Sequence, residues 1–284
     1  MGKVIKGKPV ADSITMDLSK EVSLIKEKNI KPKLSIIRVG KNESDLAYER
    51  GIIKRCEGIG IEVEVKEYKG DINIEDFTME INKVNEDDNT HGILIFRPLP
   101  KSLDENVVKY VIDPKKDMDC FSPLNVAKLM EGDETGFSPC TPEAVMEMLK
   151  YYNIDICGKN FVVVGRSMVV GKPVSMLLLK ENATVTICHS KTKDLKEVTS
   201  KADVLVVGVG RPKFINSDYV KKGSVIIDVG INVDKEGNLC GDVDTEDCLK
   251  KAEIISKVPG GVGSVTTSVL AKHIIKACRN QNNI

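Results

Sequence analysis

The sequence predicts an α/β protein made of two consecutive α/β units, each with a mostly parallel sheet. Three observations predict it. Short β-rich apolar runs alternate with helical stretches along the whole chain. The alternation breaks at "PCTP", Pro139 to Pro142, and then restarts. The runs after the break, "NFVVVG", "ATVTICHS", "ADVLVVGVG" and "GSVIIDVG", are apolar enough to be strands covered on both faces.

The elements follow in order. "KLSIIRVG" is a β-rich run ending in glycine, and a helical stretch leads on through Arg55. "GIEVEVKEY" alternates apolar and charged residues as a half-buried strand does. "FTMEINKVNED" has helical periodicity, and "GILIFRPLP" is a strand stopped by Pro98 and Pro100. Past the break, "EAVMEMLKYYN" reads as a helix before the four apolar strands, and "SVTTSVLAKHIIKACRNQ" closes the chain as an amphipathic helix. No internal repeat, low-complexity tract or long linker interrupts the series.

Composition narrows the function. The 284 residues suffice for a substantial core, and 42 basic residues balance 42 acidic ones. That balance argues against a dedicated partner in nucleic acid or an anionic membrane. Eight cysteines without CxxC spacing and three histidines predict no metal site and fit a reducing cytoplasm. "MGKVIKGKPVADSI" lacks an apolar signal core and a myristoylation serine, and no apolar run reaches membrane-spanning length.

"FVVVGRSMVVGKPVSMLLL" is a strand, a glycine turn and a helix, an arrangement that offers free N–H groups to a phosphate. Five residues separate Gly165 from Gly171, and Pro173 follows Lys172, so the magnesium-binding hydroxyl of a P-loop is missing. Arg166 and Ser167 replace the middle glycine of the usual dinucleotide fingerprint. By itself this could be a plain turn ending a buried strand. The tip of the next strand, "CHSKT", has no acid to hold a ribose 2′-hydroxyl. It offers Ser190, Lys191 and Thr192, with Arg166 within reach. Hydroxyls with a cation suit a 2′-phosphate, so NADP is expected over NAD. Gly208 in "VGVGRP" and Ile231 in "DVGIN" end later strands, where glycines let backbone approach a flat ligand.

"PKKDMDCFSPLNV" carries Asp117 and Asp119 in a proline-bounded loop, and "VPGGVGSVTT" is a glycine-rich loop opening the last helix. Together with "PCTP", "VVVGRSMVVGKP", "CHSKT" and "DVGIN", these segments resemble the methylenetetrahydrofolate dehydrogenase/cyclohydrolase family over nearly the whole chain. The resemblance implies a cytoplasmic homodimer acting on one-carbon derivatives of tetrahydrofolate. It implies an N-terminal folate domain at 1–139, completed by the C-terminal helix 266–284. A Rossmann-like NADP domain at 140–265 would face it across a cleft. Oxidation of 5,10-methylenetetrahydrofolate to the methenyl cation, then hydration to 10-formyltetrahydrofolate, are the implied reactions. Tyr48 matches a catalytic and substrate-binding tyrosine, and Asp119 the aspartate that binds the pterin's amino edge. Pro259 and Gly260 match the loop that closes over folate. Gly165, Arg166, Ser167, Gly171, Ser190, Thr192, Gly208 and Ile231 are the expected cofactor contacts.

Two positions depart from the family pattern. Ile52 stands where the resemblance implies a lysine four residues after the tyrosine, and Phe96 where it implies a glutamine. Lys54 is six residues from Tyr48, roughly 120° away around a helix. Arg55 returns to the Tyr48 face about two turns on but is permanently charged. Removing a hydride from the methylene carbon requires no protein proton, whereas hydration does. The expectation is an active dehydrogenase with weak or absent cyclohydrolase. Ordinary core packing of Ile52 is compatible with it. The alternatives are a fully bifunctional enzyme using another proton-transfer group, another NADP oxidoreductase on the same fold, and a non-catalytic nucleotide-binding regulator. His91 and His273 are expected to be structural or solvated, His189 to lie by the 2′-phosphate site, and Cys120 and Cys140 to be buried without a role.

Overall fold

The computed structural model describes residues 2–284 and divides into two compact units. One comprises residues 2–12 with Pro139–Thr266, the other Ser13–Ser138 with Thr267–Ile284.

In chain order the first elements are β1 (Lys3–Ile5), α1 (Lys8–Glu27), β2 (Lys33–Val39), α2 (Glu43–Ile59), β3 (Glu62–Tyr68), α3 (Ile74–Asn85) and β4 (Gly92–Ile95). Short helices α4 (Glu105–Val108) and α5 (Pro123–Glu131) precede α6 (Cys140–Tyr151). Then come β5 (Asn160–Val164), α7 (Gly171–Lys180), β6 (Thr184–Cys188), α8 (Leu195–Thr199), β7 (Val204–Val207) and β8 (Val225–Asp228). The hairpin β9 (Asn232–Val233) and β10 (Leu239–Cys240), α9 (Thr245–Cys248), β11 (Ile254–Ser256) and α10 (Thr266–Asn282) finish the chain.

In the unit holding Tyr48, β2 lies between β3 and β4 in a parallel three-stranded sheet. Ile37, Phe77, Ile81, Ile93 and Ile95 form its core on one side. Helix α2 starts where the Asn42 side chain accepts from Ser44 N, and it stops at Gly60, which takes the left-handed conformation. The body of α2 is tied to β2 by a buried ion pair, Arg38 Nε to Glu49 Oε2 at 2.8 Å.

The other unit carries a six-stranded parallel sheet in the order β1-β11-β8-β7-β5-β6. The chain goes from β5 to β6 on one side, then to β7 on the other. The order therefore reverses between β5 and β7, and ligands of open parallel sheets bind outside the carboxyl ends of the strands at such a point.

One difference from the expected boundary stands out. Residues 2–12 group with the six-stranded sheet, not with the first half of the sequence, because β1 pairs with β11 from Lys3↔Ile254 to Ile5↔Ser256. A three-residue strand has no stability of its own, and the open edge beside β11 supplies its hydrogen-bond partners. Among the described residues no helix is long and apolar enough to cross a membrane.

Candidate functional site

The reversal between β5 and β7 places two glycines side by side. Gly165 follows β5 with φ +136°, and a Cβ there would strike the Gly208 carbonyl oxygen after β7. A Cβ on Gly171, the first residue of α7, would run into the Gly165 carbonyl oxygen. The turn is closed by Val170 N donating to Ser167 Oγ at 3.1 Å and Lys172 N donating to Ser167 O at 3.0 Å. Arg166 and Ser167 are exposed at its tip. Beside it, Gly165 N donates to Cys188 O at 2.9 Å, which fixes the start of the polar turn after β6. There His189 N donates to Thr192 Oγ1 at 2.8 Å, and Lys191 N to His189 Nδ1 at 3.1 Å. Thr192 and His189 therefore shape the turn, while Ser190 and Lys191 stand exposed on it. Ile231, just past β8, is 65 % exposed. A crowded glycine cradle under a helix N-terminus, with Arg166 and hydroxyls nearby, fits a phosphorylated dinucleotide.

Two residues of this unit carry more than their sequence positions suggest. The buried Asp242 carboxylate accepts from Val209 N at 2.6 Å, Gly210 N at 3.1 Å and Arg211 N at 2.6 Å. It thereby fixes the loop after β7 that begins with Gly208. Asp228 accepts from Gly230 N, Asp242 N and Val243 N. Burial, with a contribution from Asp242, pushes the Asp228 carboxyl up to about 7 against the pull of those N–H groups. Nothing in "DVGIN" or "GDVD" alone distinguishes such clamps from turn aspartates. The Pro259 and Gly260 loop is held within the same unit, where Gly7 N donates to Gly260 O at 2.8 Å.

In the other unit Tyr48 projects from α2 and is 38 % exposed, with its ring 5.7 Å from that of Phe96. One turn on, Ile52 is fully buried. Lys54 is exposed, and Arg55 Nη1 donates to Thr15 Oγ1 at 2.8 Å. Asp119 lies on a loop fastened to β4 by Ile93 N to Lys116 O and Met118 N to Ile93 O. Asp117, inside that loop, is a structural hub. Its carboxylate accepts from Phe121 N at 3.0 Å, Ser122 N at 2.8 Å and Asn125 Nδ2 at 2.9 Å, while burial raises its pKa. Asp119 is left part-exposed, with Arg97 Nη2 3.5 Å from its Oδ2.

The histidines are structural. Lys33 N donates to His91 Nδ1, and His273 Nδ1 is 2.9 Å from Met118 O. Cys120 and Cys140 are buried, and burial raises the Cys120 thiol pKa. Among the described residues no group of three His, Cys, Asp or Glu is placed to hold a metal ion.

Residues 5–119 match the model of the tetrahydrofolate dehydrogenase/cyclohydrolase catalytic domain, and residues 139–282 that of the same family's NAD(P)-binding domain. The chain belongs to the tetrahydrofolate dehydrogenase/cyclohydrolase family. It is 62 % identical over 284 residues, all of both chains, to the bifunctional protein FolD of Clostridium kluyveri. Among solved structures it resembles the bifunctional FolD enzyme of Campylobacter jejuni, with TM-score 0.96, 39 % identity and 99 % of each chain covered. It also resembles the Trypanosoma brucei FolD, complexed with NADP cofactor and inhibitor, with TM-score 0.93, 34 % identity and 100 % and 99 % coverage. The family's NAD(P)-binding domain thus spans the glycine cradle, and its catalytic domain spans Tyr48, Phe96 and Asp119.

Proposed function

We propose that this family member is an NADP-dependent 5,10-methylenetetrahydrofolate dehydrogenase whose methenyltetrahydrofolate cyclohydrolase activity is weak or absent. One observation carries the second clause: beside Tyr48, position 52 is a fully buried isoleucine and position 96 a phenylalanine packed on the tyrosine ring. Relatives matching over the full length are named bifunctional, so the proposal concerns what this chain has lost.

The chemistry separates the two steps. When bound, NADP+ accepts the hydride that leaves the methylene carbon. Asp119 accepts from the amino edge of the pterin, and Tyr48 with Phe96 forms an aromatic wall that orients the substrate. None of these residues has to gain or lose a proton during oxidation. Hydration of the methenyl product does require it: water loses a proton as it attacks, and a ring nitrogen gains one before the C–N bond breaks. A movable proton near neutral pH supplies about 10²–10⁴-fold in rate. Neither isoleucine nor phenylalanine offers one.

Arg166 and Ser190 are assigned to the 2′-phosphate, with Thr192 shaping their turn. Gly165, Ser167, Gly171, Gly208 and Ile231 line the rest of the cofactor site. Pro259 and Gly260 keep the substrate-binding role that the resemblance gives them. The homodimer and the cytoplasmic location belong to the same proposal, and light scattering of the purified protein checks the former.

The test is to measure methylenetetrahydrofolate oxidation and methenyl hydrolysis separately on purified protein. Oxidation with NADP+ and hydrolysis close to the uncatalysed rate are expected. Hydrolysis at a rate comparable to oxidation would overturn the loss, and no oxidation would overturn the whole reading.

A further inference from the structure

Arg97 follows Phe96 at the end of the strand segment, where "GILIFRPLP" turns at Pro98. Its guanidinium lies over the Phe121 ring, 4.5 Å from the centroid, and Nη2 is 3.5 Å from Asp119 Oδ2. Its side chain is 24 % exposed, and Asp119 is its only polar partner among the described residues. A guanidinium has five N–H donors in a rigid plane, so most of them are uncommitted. Both supports are rigid. Phe121 N and Ser122 N are fixed on the Asp117 carboxylate, and the loop is hydrogen-bonded to β4. Stacking on Phe121 then holds the guanidinium plane beside the Asp119 carboxylate.

The two groups form a composite surface with acceptors on Asp119 and donors on Arg97. The edge of a 4-oxopterin is its complement. The 2-amino group and N3–H donate, and the neighbouring 4-oxo oxygen accepts. We propose that Arg97 is a specificity-determining residue that donates to the 4-oxo oxygen of the pterin while Asp119 accepts from the amino edge. This rests on the folate reading of Asp119 given above. A 2,4-diaminopteridine presents a donor where the 4-oxo oxygen would be, and it therefore meets Arg97 donor against donor. Sites built to pair a substrate polar group reject analogues that leave the partner unpaired.

The test compares two pterin probes, folic acid and its 4-amino analogue aminopterin, on the intact protein and on Arg97→Leu, with dissociation constants measured by calorimetry. Removing Arg97 is expected to weaken folic acid by about tenfold or more, as for a lost hydrogen bond to a charged group. Aminopterin is expected to hold or gain, so the affinity ratio shifts by at least about tenfold. NADP+ affinity should stay within about twofold. Loss of packing on Phe121 would weaken both pterins equally and leave the ratio unmoved, and that result overturns the inference. Arg97→Lys keeps the charge without the planar fork, and it should recover part of the ratio if Arg97→Leu proves unstable. An unchanged ratio in both variants refutes the role of Arg97 while the intact enzyme still binds folic acid. If the intact protein binds neither probe and oxidises no folate, the functional reading itself falls, and this inference with it.

Discussion

The rings of Tyr48 and Phe96 face each other at 5.7 Å between centroids, tilted by 32°. Phe96 is 7 % exposed, so the contact turns the inner side of Tyr48 into an apolar wall. A glutamine at position 96 would present an amide there, and a lysine at 52 could reach toward it from the next turn of α2. On the reading proposed above, the aromatic contact and the buried Ile52 are two parts of one change from a proton-handling surface to a packing surface.

Reversing that change should restore hydration. Ile52→Lys with Phe96→Gln is expected to raise methenyl hydrolysis roughly 100-fold, the low end of what general acid–base groups contribute. Ile52→Lys alone should give less and lower the melting temperature, because position 52 is fully buried and a lone ammonium there lacks a partner. Absorbance decay of the methenyl compound reports the first effect and thermal melts the second. Oxidation without any gain in hydrolysis would mean that the two exchanged side chains are not the cause.

Arg166 is exposed at the tip of the β5–α7 turn, next to the polar turn after β6. Arg166→Ala should raise the KM for NADP+ by about tenfold or more while changing that for NAD+ by about twofold at most, since a guanidinium–phosphate contact is charge-assisted and NAD+ has no 2′-phosphate. Steady-state kinetics with both cofactors check it. An equal loss with each would assign Arg166 to the turn rather than to the phosphate.

Acid stability offers a prediction away from the site. The Asp87 carboxyl is held down at about 2, first by the Thr90 hydroxyl and then by Asn89 and Lys33, which together outweigh the cost of its partial burial. Its folded pKa lies below the unfolded one, so the carboxylate stabilises the fold fully above about pH 4 and ceases to do so as pH falls through about 2. With the side chain 34 % exposed, solvent screening reduces this to about 1 kcal/mol. Asp87→Asn should melt a few degrees lower at pH 7 and converge with the parent near pH 2. A gap of constant size across that range would argue against the linkage.

Much of the architecture was legible in the residues. "KLSIIRVG" became β2, "GIEVEVKEY" β3, and the four apolar runs β5 to β8, because each is long or periodic enough for its pattern to decide. β1 and β11 were not, since three residues carry no periodicity and their pairing joins Lys3 to Ile254. The glycine turn was legible as a turn, but the contacts that make Gly165 and Gly171 necessary are with Gly208 and with each other's backbone. Asp228 and Asp242 were hidden for the same reason: most of their partners are main-chain N–H groups, which leave no mark on the sequence. Arg97 read only as the residue before a proline, because its partners Asp119 and Phe121 lie on a different loop.

The pairing of β1 with β11 has a consequence for biosynthesis. Once made, β1 has to wait for its neighbour until residue 256 has been added, roughly ten to fifty seconds at ordinary translation rates. The chain also crosses between the units three times, at residues 12, 138 and 266, so neither unit is built from a single uninterrupted segment. Truncation from either end therefore strips a strand from one unit or a helix from the other, and a tag on the first residues hangs beside a sheet edge that closes last.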